Sequence, residues 1–392
     1  MRLFLLTFFS LLLSLTHWVA AYSDSSSDNV VVYWGQASAG SQESLAYYCA
    51  SDNVDIVVLS FLTTFFGSDN SPVVNFASAC TSTFSGTDLL QCDQIAQDIK
   101  TCQNAGKKVL LSLGGAAGSY GFTSDSEAES FATTLWQTFG ADTSASVNRP
   151  FGDSVVDGFD LDIENGNSIG YAALVTKLRQ YYASSSGTYY VSAAPQCPFP
   201  DASVGDALDN AYFDFVFIQF YNNYCGVNNQ AQFNYDSDWQ AWVDSTSQNK
   251  NVKLYVGVPG SSSAAGSGYV TPDVLGTLIG AITDKSNLGG VMIWDASQAF
   301  TNQVDANNFI TDIKSVLAGI SSSSSTSSSN TQVSSSLGAA AAAATVESIT
   351  SIGGTSSFGF QNLYVTAVPT SAVAVAVAAS VVTDVPVATP SS

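Results

Sequence analysis

Eight short runs of apolar residues recur along the chain, separated by longer and more polar stretches. Most of the runs are nearly continuous in hydrophobic residues, which is typical of strands buried on both faces of a parallel sheet. We therefore predict eight strands. They are Val30–Gly35, Val54–Leu62, Lys108–Gly115, Asp157–Glu164, Thr188–Gln196, Phe213–Asn222, Val252–Pro259 and Gly289–Ala296.

The gaps between these runs are long enough for helices, and five segments have a helical pattern. The predicted helices are Asp93–Ala105, Ser126–Phe139, Ile169–Ser184, Thr271–Asp284 and Asn307–Leu317. Eight strands alternating with helices favour an α/β fold of the TIM (β/α)8 type, in which the active site lies at the C-terminal ends of the strands. A doubly wound open sheet is the alternative, but no G-x-G-x-x-G follows the first run to support nucleotide binding.

Both ends of the sequence differ in composition from the middle. Met1–Ala21 has a basic residue, an apolar run and small residues at its end, as in a secretory signal peptide. A membrane anchor is the alternative, but the apolar run Leu3–Leu15 is shorter than the roughly 20 residues needed to span a bilayer. We predict a signal peptide over 1–21 and a catalytic barrel over 22–318.

Residues 319–392 are rich in Ser, Thr and Ala, and they contain no Lys or Arg. We predict a disordered tail that is O-glycosylated, since such a composition cannot bury a specific core. Within it, Ser371–Val382 is apolar, but the polar, proline-containing Thr383–Ser392 follows, so attachment through a GPI anchor is not favoured.

The charge of the chain narrows the classes of partner. With 32 Asp and Glu against 11 Lys and Arg, the formal net charge is −21. Such a chain repels nucleic acid and anionic membranes, so a neutral partner such as a sugar polymer fits better.

The histidine and cysteine content limits which kinds of catalytic and metal site the chain can form. His17 is the only histidine, and it lies in the predicted signal peptide, so Ser-His-Asp and Cys-His sites are excluded. Six cysteines without a C-x-x-C spacing indicate disulfides rather than zinc, and we predict no metal and no cofactor. Three disulfides are expected in a secreted chain, and spacing alone leaves fifteen pairings open.

The fourth apolar run carries the clearest candidate chemistry. Residues 157–164 read Asp-Gly-Phe-Asp-Leu-Asp-Ile-Glu, with Asp160, Asp162 and Glu164 on every second position. In a strand, such side chains share one face at a spacing of about 6.5–7 Å. They cannot all ionise there, so at least one pKa must rise, which suits acid catalysis.

Polar and aromatic residues also lie at the ends of other runs, where a barrel would bring them together over its mouth. They are Tyr33 and Gln36 on the first run, Gln219, Tyr221 and Asn222 on the sixth, and Trp294 and Asp295 on the eighth.

These segments resemble a known family. Asp157–Glu164 fits the D-x-x-D-x-D-x-E pattern of family 18 glycoside hydrolases, and Ser112-Leu-Gly-Gly115 fits the second motif of that family. Four further segments resemble class III chitinases of the plant and yeast type. They are Tyr33-Trp-Gly-Gln36, Ala193-Ala-Pro-Gln-Cys197, Gln219-Phe-Tyr-Asn-Asn223 and Gly289-Gly-Val-Met-Ile-Trp294.

The resemblance implies catalytic roles for four residues. Glu164 would protonate the glycosidic oxygen, and the 2-acetamido group of the substrate would act as the nucleophile, with retention of configuration. Asp162 would orient the acetamido N–H, Tyr221 would donate to its oxygen, and Asp160 would share a proton with Asp162.

The resemblance also implies substrate contacts and supporting positions. Trp294 would form the floor of the cleavage subsite, and Tyr33, Gln36, Gln219 and Asn222 would contact the sugar. The residues expected to support the motifs without touching sugar are Asp157, which would anchor a turn, and Ser112, Gly114 and Gly115, which would pack within the barrel.

The same resemblance implies two kinds of covalent detail. The disulfides would be Cys49–Cys102, Cys80–Cys92 and Cys197–Cys225, the last bracing Tyr221. Non-proline cis peptides would occur at Ser60–Phe61 and Trp294–Asp295.

The function implied is that of a secreted chitinase that binds chitin and chitooligosaccharides in the extracellular space or cell wall, as a monomer, in fungal wall remodelling or cell separation. An endo-β-N-acetylglucosaminidase acting on N-glycans is one alternative, although the strand-end motifs disfavour it. A non-catalytic sugar-binding or inhibitor barrel is the other. Relatives of that kind usually lack the acid or a neighbouring aspartate, whereas this chain has them all.

Overall fold

The computed structural model describes residues 22–328, with the side chains of 22–321. The predicted signal peptide at 1–21 and residues 329–392 of the predicted tail lie outside the described residues. Among the helices of residues 22–328, none has the length and apolar character needed to cross a membrane.

Eight parallel strands form a closed barrel. Each strand pairs with its neighbours in sequence, and the last pairs with the first through Asn29↔Gly290 to Val32↔Ile293. The predicted TIM barrel is therefore confirmed, and the open doubly wound sheet is excluded. The strands are β1 Asn29–Trp34, β2 Ile56–Thr64, β3 Lys108–Gly114, β4 Gly158–Asp162, β5 Tyr190–Ala193, β6 Phe215–Gln219, β7 Lys253–Pro259 and β8 Leu288–Trp294.

Successive residues of the strands point alternately into two hydrophobic layers, one outside the barrel and one inside it. On β1, Val30 and Val32 belong to the large cluster between strands and helices, whereas Val31 and Tyr33 belong to a smaller cluster inside the barrel. The inner cluster is rich in large side chains, with Phe215 among its members. Because both faces are apolar, the strands read as continuous hydrophobic runs.

All five predicted helices are present, and residues 22–328 contain four short α-helices besides them that the pattern did not reveal. The bounds are α1 Leu45–Cys49, α2 Asp93–Asn104, α3 Asp125–Thr138, α4 Tyr171–Ser184, α5 Gly205–Asn210, α6 Ala241–Ser245, α7 Pro272–Gly280, α8 Ala296–Thr301 and α9 Phe309–Ser328. The last helix extends ten residues into the segment predicted as tail, from 319 to 328. Within this helix, Ser321 Oγ lies 3.1 Å from Ser27 Oγ.

Local signals explain where two of these helices begin. The hydroxyl of Ser124 accepts a hydrogen bond from the backbone N–H of Glu127 and caps α3. The Glu127 carboxylate in turn accepts a hydrogen bond from the backbone N–H of Thr123. Two backbone N–H groups at the start of α3 therefore have side-chain acceptors. Helix α7 begins at Pro272, whose missing N–H costs nothing at that position.

The three disulfides have the predicted pairing. Cys49–Cys102 joins α1 to α2, and Cys80–Cys92 closes a loop before α2. Cys197–Cys225 joins the loop after β5 to the loop after β6, both at the C-terminal end of the barrel.

Three aspartates strengthen the opposite, N-terminal end of the barrel. Each directly precedes an even-numbered strand and accepts a hydrogen bond from the backbone N–H of a residue on the strand before it. The pairs are Asp55 with Val30 at 2.7 Å, Asp157 with Val109 at 2.8 Å, and Asp214 with Val191 at 2.7 Å. Asp157 therefore anchors the start of β4, at the end of the barrel opposite the mouth.

Replacing Lys314 by methionine is expected to lower the free energy of unfolding by about 1.5–3 kcal/mol, because it removes a charge-assisted hydrogen bond from a buried carboxylate that keeps Lys107 as a nearby cation. Lys314 Nζ lies 2.7 Å from Asp55 Oδ2, and Asp55 is almost completely buried. Lys100→Met is the matched control, since Lys100 pairs with the exposed Asp153 and should change stability little. Urea unfolding of both variants tests this, and equal losses would contradict it.

Candidate active site

Strand β4 presents its acidic residues to the inside of the barrel near the C-terminal end. Asp160 is fully buried and Asp162 is 4% exposed, whereas the intervening Leu161 packs in the outer layer. Glu164 follows the end of the strand and lies half-buried at the mouth. The predicted row of three acids is therefore present.

The Asp160 carboxyl group is held by three hydroxyl groups. Ser112 Oγ donates to Oδ2 at 2.7 Å, Ser192 Oγ donates to Oδ1 at 2.7 Å, and Tyr33 OH donates to Oδ2 at 2.8 Å. The parallel register places Ser112, Asp160 and Ser192 side by side on β3, β4 and β5. Burial raises the pKa of Asp160, and these hydrogen bonds oppose the rise.

Tyr33 differs from its predicted role as a sugar contact. It is only 2% exposed and does not line the cavity, because it lies at the level of Asp160, one layer below the mouth. Its ring packs against Trp294 with centroids 5.8 Å apart, and its hydroxyl serves Asp160 instead.

Asp162 lies between the buried Asp160 and the mouth. Its Oδ1 accepts a hydrogen bond from Gln219 Nε2 at 2.9 Å. Burial, followed by the neighbouring carboxyl groups of Glu164 and Asp160, raises the pKa of Asp162 well above its ordinary value. In the described part of the chain Asp160 and Asp162 are not hydrogen-bonded to each other, and the proton shared between them stays a prediction.

Glu164 has neighbours on two loops, the one after β3 and the one after β5. Burial and then the Asp201 carboxylate raise the pKa of Glu164, whereas a hydrogen bond from the Gln196 side chain lowers it. The backbone N–H of Glu164 donates to Tyr120 OH at 3.2 Å. Tyr120 OH in turn donates to the carbonyl of Gly115, so the backbone at the end of β4 is tied to the end of β3.

A cavity of about 490 Å3 opens above these acids. Of the predicted site residues, seven line it: Asp162, Glu164, Tyr221, Trp294, Gln36, Gln219 and Asn222. Burial, then Asp162 and Glu164, raise the pKa of Tyr221 well above its ordinary value, so its phenol keeps its proton.

The floor of the cavity is aromatic. Trp294 stacks on Phe61 with centroids 5.8 Å apart and an interplanar angle of 20°. The predicted cis peptides occur at Ser60–Phe61 and Trp294–Asp295. Asp295 then caps α8 by accepting from the N–H of Gln298 at 3.0 Å, which connects the end of β8 to the next helix.

Gly114 and Gly115 lie where the chain packs too closely for a side chain. A Cβ on Gly114 would lie 2.2 Å from the carbonyl oxygen of Asp162, and one on Gly115 would lie 2.9 Å from the ring of Phe61. Both residues have positive φ, of 108° and 87°. Only glycine therefore lets the end of β3 approach β4 so closely.

Sequence reasoning missed four residues around the acids: Tyr120, Ser192, Gln196 and Asp201. Ser192 had a usable signal, because it occupies the register position beside Asp160 on a predicted strand. The other three come from loops, where no periodicity indicates which side chains turn inward. Within residues 22–328, no group of three His, Cys, Asp or Glu side chains is arranged to hold a metal ion.

Fold and site together are those of a glycoside-hydrolase barrel, with clustered carboxyl groups of raised pKa at the C-terminal ends of parallel strands. The model for "Glycosyl hydrolases family 18" matches residues 29–271, and the chain belongs to this family.

Individual relatives agree with this assignment. The chain is similar to "Endochitinase" of Saccharomyces cerevisiae, with 56% identity over 302 residues, or 77% of this chain and 52% of the yeast protein. It therefore spans about half the length of that relative. Among solved structures it is similar to ICChI chitinase from Ipomoea carnea, with a TM-score of 0.61, 32% identity, and coverage of 74% of this chain and 99% of that one.

The solved structure of a protein with a different name is nearly as similar. The xylanase and alpha-amylase inhibitor protein XAIP-II from Scadoxus multiflorus matches with a TM-score of 0.59 and 31% identity, covering 74% of this chain and 98% of that one. Fold similarity alone therefore does not separate an enzyme from an inhibitor, and the site residues must decide.

Proposed function

We propose that this protein is a chitinase that hydrolyses β-1,4 linkages between N-acetylglucosamine residues, with retention and with help from the 2-acetamido group of the substrate. The observation that carries the proposal is the row Asp160, Asp162 and Glu164 beneath a cavity that Tyr221 also lines. The relatives named "Endochitinase" and "Chitinase 1" support chitin as the substrate.

Glu164 is the general acid in this proposal. Burial and the nearby Asp201 favour its protonated form, which is the form that can donate to the glycosidic oxygen. General acid catalysis of this kind contributes roughly 10²–10⁴-fold to the rate.

The substrate supplies the nucleophile. As the bond from C1 to the leaving oxygen breaks, the acetamido carbonyl oxygen of the same sugar forms a bond to C1, and the proton of Glu164 passes to the leaving oxygen. This step gives the shortened oligosaccharide, an oxazolinium ion and the Glu164 carboxylate. Water then attacks C1 and gives its proton to Glu164, and the oxazolinium ring opens to restore the acetamido group.

Asp162 and Tyr221 stabilise that intermediate. A carboxylate at Asp162 accepts from the acetamido N–H and balances the positive charge, while the Tyr221 phenol donates to the acetamido oxygen. Gln219 holds Asp162 in place, since its Nε2 also donates to the carbonyl of Ala194 at 2.9 Å. Asp160, fixed by three hydroxyl groups, lies beneath Asp162 and shares a proton with it during the reaction.

The remaining lining residues position the sugar. The Trp294 ring, supported by Phe61, offers an apolar surface for one pyranose face. Gln36 is held by donation to the carbonyls of Ser60 and Asn75, which leaves its amide oxygen to accept from a sugar hydroxyl. Asn222 accepts from the N–H of Ser267 and tethers the loop after β7 beside the cavity.

The protein acts outside the cell in this proposal, as a monomer, with a role in remodelling the fungal wall or separating cells. Three disulfides support an oxidising compartment. A cleavable signal peptide at 1–21 and an O-glycosylated stalk from 319 to 392 agree with this location.

Hydrolysis of chitotetraose by the full chain tests the proposal, with a high-mannose glycoprotein as the competing substrate. Release of shorter N-acetylglucosamine oligomers, with the glycoprotein unchanged, is the expected result. Cleavage of the glycoprotein alone would identify an endo-β-N-acetylglucosaminidase, and turnover of neither substrate would favour an inhibitor or a sugar-binding protein.

The pH dependence of kcat should follow the protonation of Glu164. Because the acid must carry its proton in the enzyme–substrate complex, kcat should fall as the pH rises through the raised pKa of Glu164. We therefore expect a declining rate between about pH 5 and pH 8 with a fluorogenic chitooligosaccharide, and a rate that rises across this range would contradict the assignment of Glu164.

A further inference from the structure

One turn of the loop after β7 packs directly behind Tyr221. The loop covers residues 260–271, contributes Ala264 to the wall of the cavity and contains the buried Gly268. A Cβ at Gly268 would lie 2.4 Å from Tyr221 Cβ and 2.6 Å from Tyr221 Cα. Carbon atoms in contact lie about 3.5–4.0 Å apart, so the backbone of Gly268 fills the space behind the tyrosine and leaves none for a methyl group.

Asn222, the residue after the tyrosine, holds the same turn at two points. Its backbone N–H donates to the carbonyl of Ser267 at 3.2 Å, and its Oδ1 accepts from the N–H of Ser267 at 3.1 Å. Asn222 has a φ of 58°, a left-handed conformation that asparagine adopts more readily than most residues. These two hydrogen bonds therefore hold the residue before Gly268 against the residue after Tyr221.

The other side of the turn is fixed to the outer layer of the barrel. Asn302 Nδ2 donates to Tyr269 OH at 3.1 Å and to the carbonyl of Gly260 at 2.9 Å, which connects the two ends of the loop. The ring of Tyr269 packs on Phe309 of α9 with centroids 5.7 Å apart. Gly268 lies between these contacts and Tyr221, and it can withdraw from the tyrosine only if the contacts break.

The position of the Tyr221 backbone determines where its phenol lies in the cavity. Tyr221 is 7% exposed, and its ring is rigid beyond Cβ, so a shift of Cβ moves the hydroxyl group with it. In the proposed function that hydroxyl group donates to the acetamido oxygen of the substrate. A displacement of about 1 Å in a catalytic site can lower the rate about 100-fold.

We infer that Gly268 is a positioning residue for Tyr221, and that Asn222 keeps Gly268 in place. The inference rests on the proposed function, in which the Tyr221 phenol touches the substrate. Because residue 268 has no side chain, the loop after β7 forms a close support for the tyrosine. Asn222 thus has a structural contact in addition to its place in the lining of the cavity.

Gly268→Ala introduces the methyl group for which there is no space. Tyr221 must then move, so we expect kcat for chitotetraose to fall about 10- to 100-fold with KM nearly unchanged. Gly86→Ala is the matched control, since Gly86 is exposed and a Cβ there would meet no atom within 4 Å. Its φ is 79°, against 100° for Gly268, so the control imposes a similar backbone strain without displacing a neighbour and should keep the wild-type kcat.

A double variant shows whether Gly268 acts through the phenol. Tyr221→Phe removes the donor and should by itself lower kcat by about 10²–10³-fold. If Gly268 acts only by placing that donor, the addition of Gly268→Ala to Tyr221→Phe should cause little further loss. Multiplied losses would mean that Gly268 supports the fold or another residue, and this would overturn the inference.

Asn222→Gly tests the two-point contact and adds no side chain to the packed turn. Glycine adopts the φ of 58° freely, but it lacks the oxygen that accepts from Ser267. We expect kcat to fall less than in Gly268→Ala, with KM again nearly unchanged. A raised KM with kcat intact would make Asn222 a sugar contact alone and would contradict its part in the inference.

The environment of the phenol can be followed without turnover. In protein labelled with 13C at tyrosine Cζ, the Tyr221 signal is the one of 17 tyrosine signals that Tyr221→Phe removes. This signal should shift in Gly268→Ala and Asn222→Gly and stay unchanged in Gly86→Ala. An unshifted signal in Gly268→Ala would overturn the inference, whatever the activity of the variant.

The remaining outcomes are distinguishable. If Gly268→Ala does not fold, the Tyr221 signal of Asn222→Gly decides in the same way. A wild type without activity on chitotetraose would count against the proposed function, and the signal would then still test the contact between Gly268 and Tyr221. An active wild type with an unshifted signal would overturn the positioning role and leave the proposed function intact.

Discussion

Replacing Glu164 by glutamine is expected to lower kcat for chitotetraose by about 10²–10⁴-fold while binding is retained. The amide has nearly the same shape as the acid but carries no transferable proton. The side chain is half-buried at the mouth of the barrel, and the cavity above it keeps its other lining residues. The loss should therefore be in kcat, with little change in the dissociation constant of the oligosaccharide.

Kinetics and calorimetric binding of Glu164→Gln provide the check. Glu129→Gln is the matched control, because Glu129 is an exposed glutamate on α3 and the same substitution there should change neither quantity. Normal turnover by Glu164→Gln would remove Glu164 from the mechanism. Loss of binding together with turnover would instead indicate a damaged site and would contradict the expectation of intact binding.

Asp162→Asn should lower kcat by about 10²–10³-fold, the range found when one group that stabilises a charged intermediate is removed. Asparagine can keep the contact with Gln219, but it cannot balance the positive charge of the oxazolinium ion. If Asp162 and Glu164 act as a unit, the double variant should be little slower than the slower single variant. Additive losses would contradict a shared mechanism.

The same variant should be more stable than the wild type at neutral pH. The pKa of Asp162 is raised well above its ordinary value, first by burial, so the folded chain binds this proton more tightly than the unfolded chain. The contribution of such a group to the free energy of unfolding decreases as the pH rises from its unfolded pKa to its folded one, and an amide at this position avoids that loss. Thermal unfolding of Asp162→Asn beside the exposed control Asp52→Asn measures the difference, and a destabilised Asp162→Asn would contradict the raised pKa.

Much of the fold could be predicted from sequence because the barrel has two apolar layers. Each strand is buried on both faces, so runs such as Val252–Pro259 match the observed Lys253–Pro259 closely. Short helices could not be predicted in this way. Leu45–Cys49 has only five residues, too few to display a helical period, and its position depends on the disulfide from Cys49 to α2.

Site residues that lie on strands could be predicted from the sequence, whereas those that lie on loops could not. The alternation on β4 places Asp160 and Asp162 inside the barrel without any further information. Tyr33 obeys the same rule, but its depth along β1 decides that it serves Asp160 rather than the sugar. Gln196 and Asp201 reach Glu164 through loop conformations that depend on tertiary contacts, which no local pattern encodes.

The central claim is tested most directly by measuring the anomeric configuration of the reducing end that cleavage first produces. Time-resolved proton NMR of chitotetraose hydrolysis by the full chain distinguishes the two anomers at the newly formed reducing end before they interconvert. Catalysis by Glu164 with the substrate's own acetamido group predicts that the β-anomer forms first. Initial release of the α-anomer would require direct attack by water and would contradict the account.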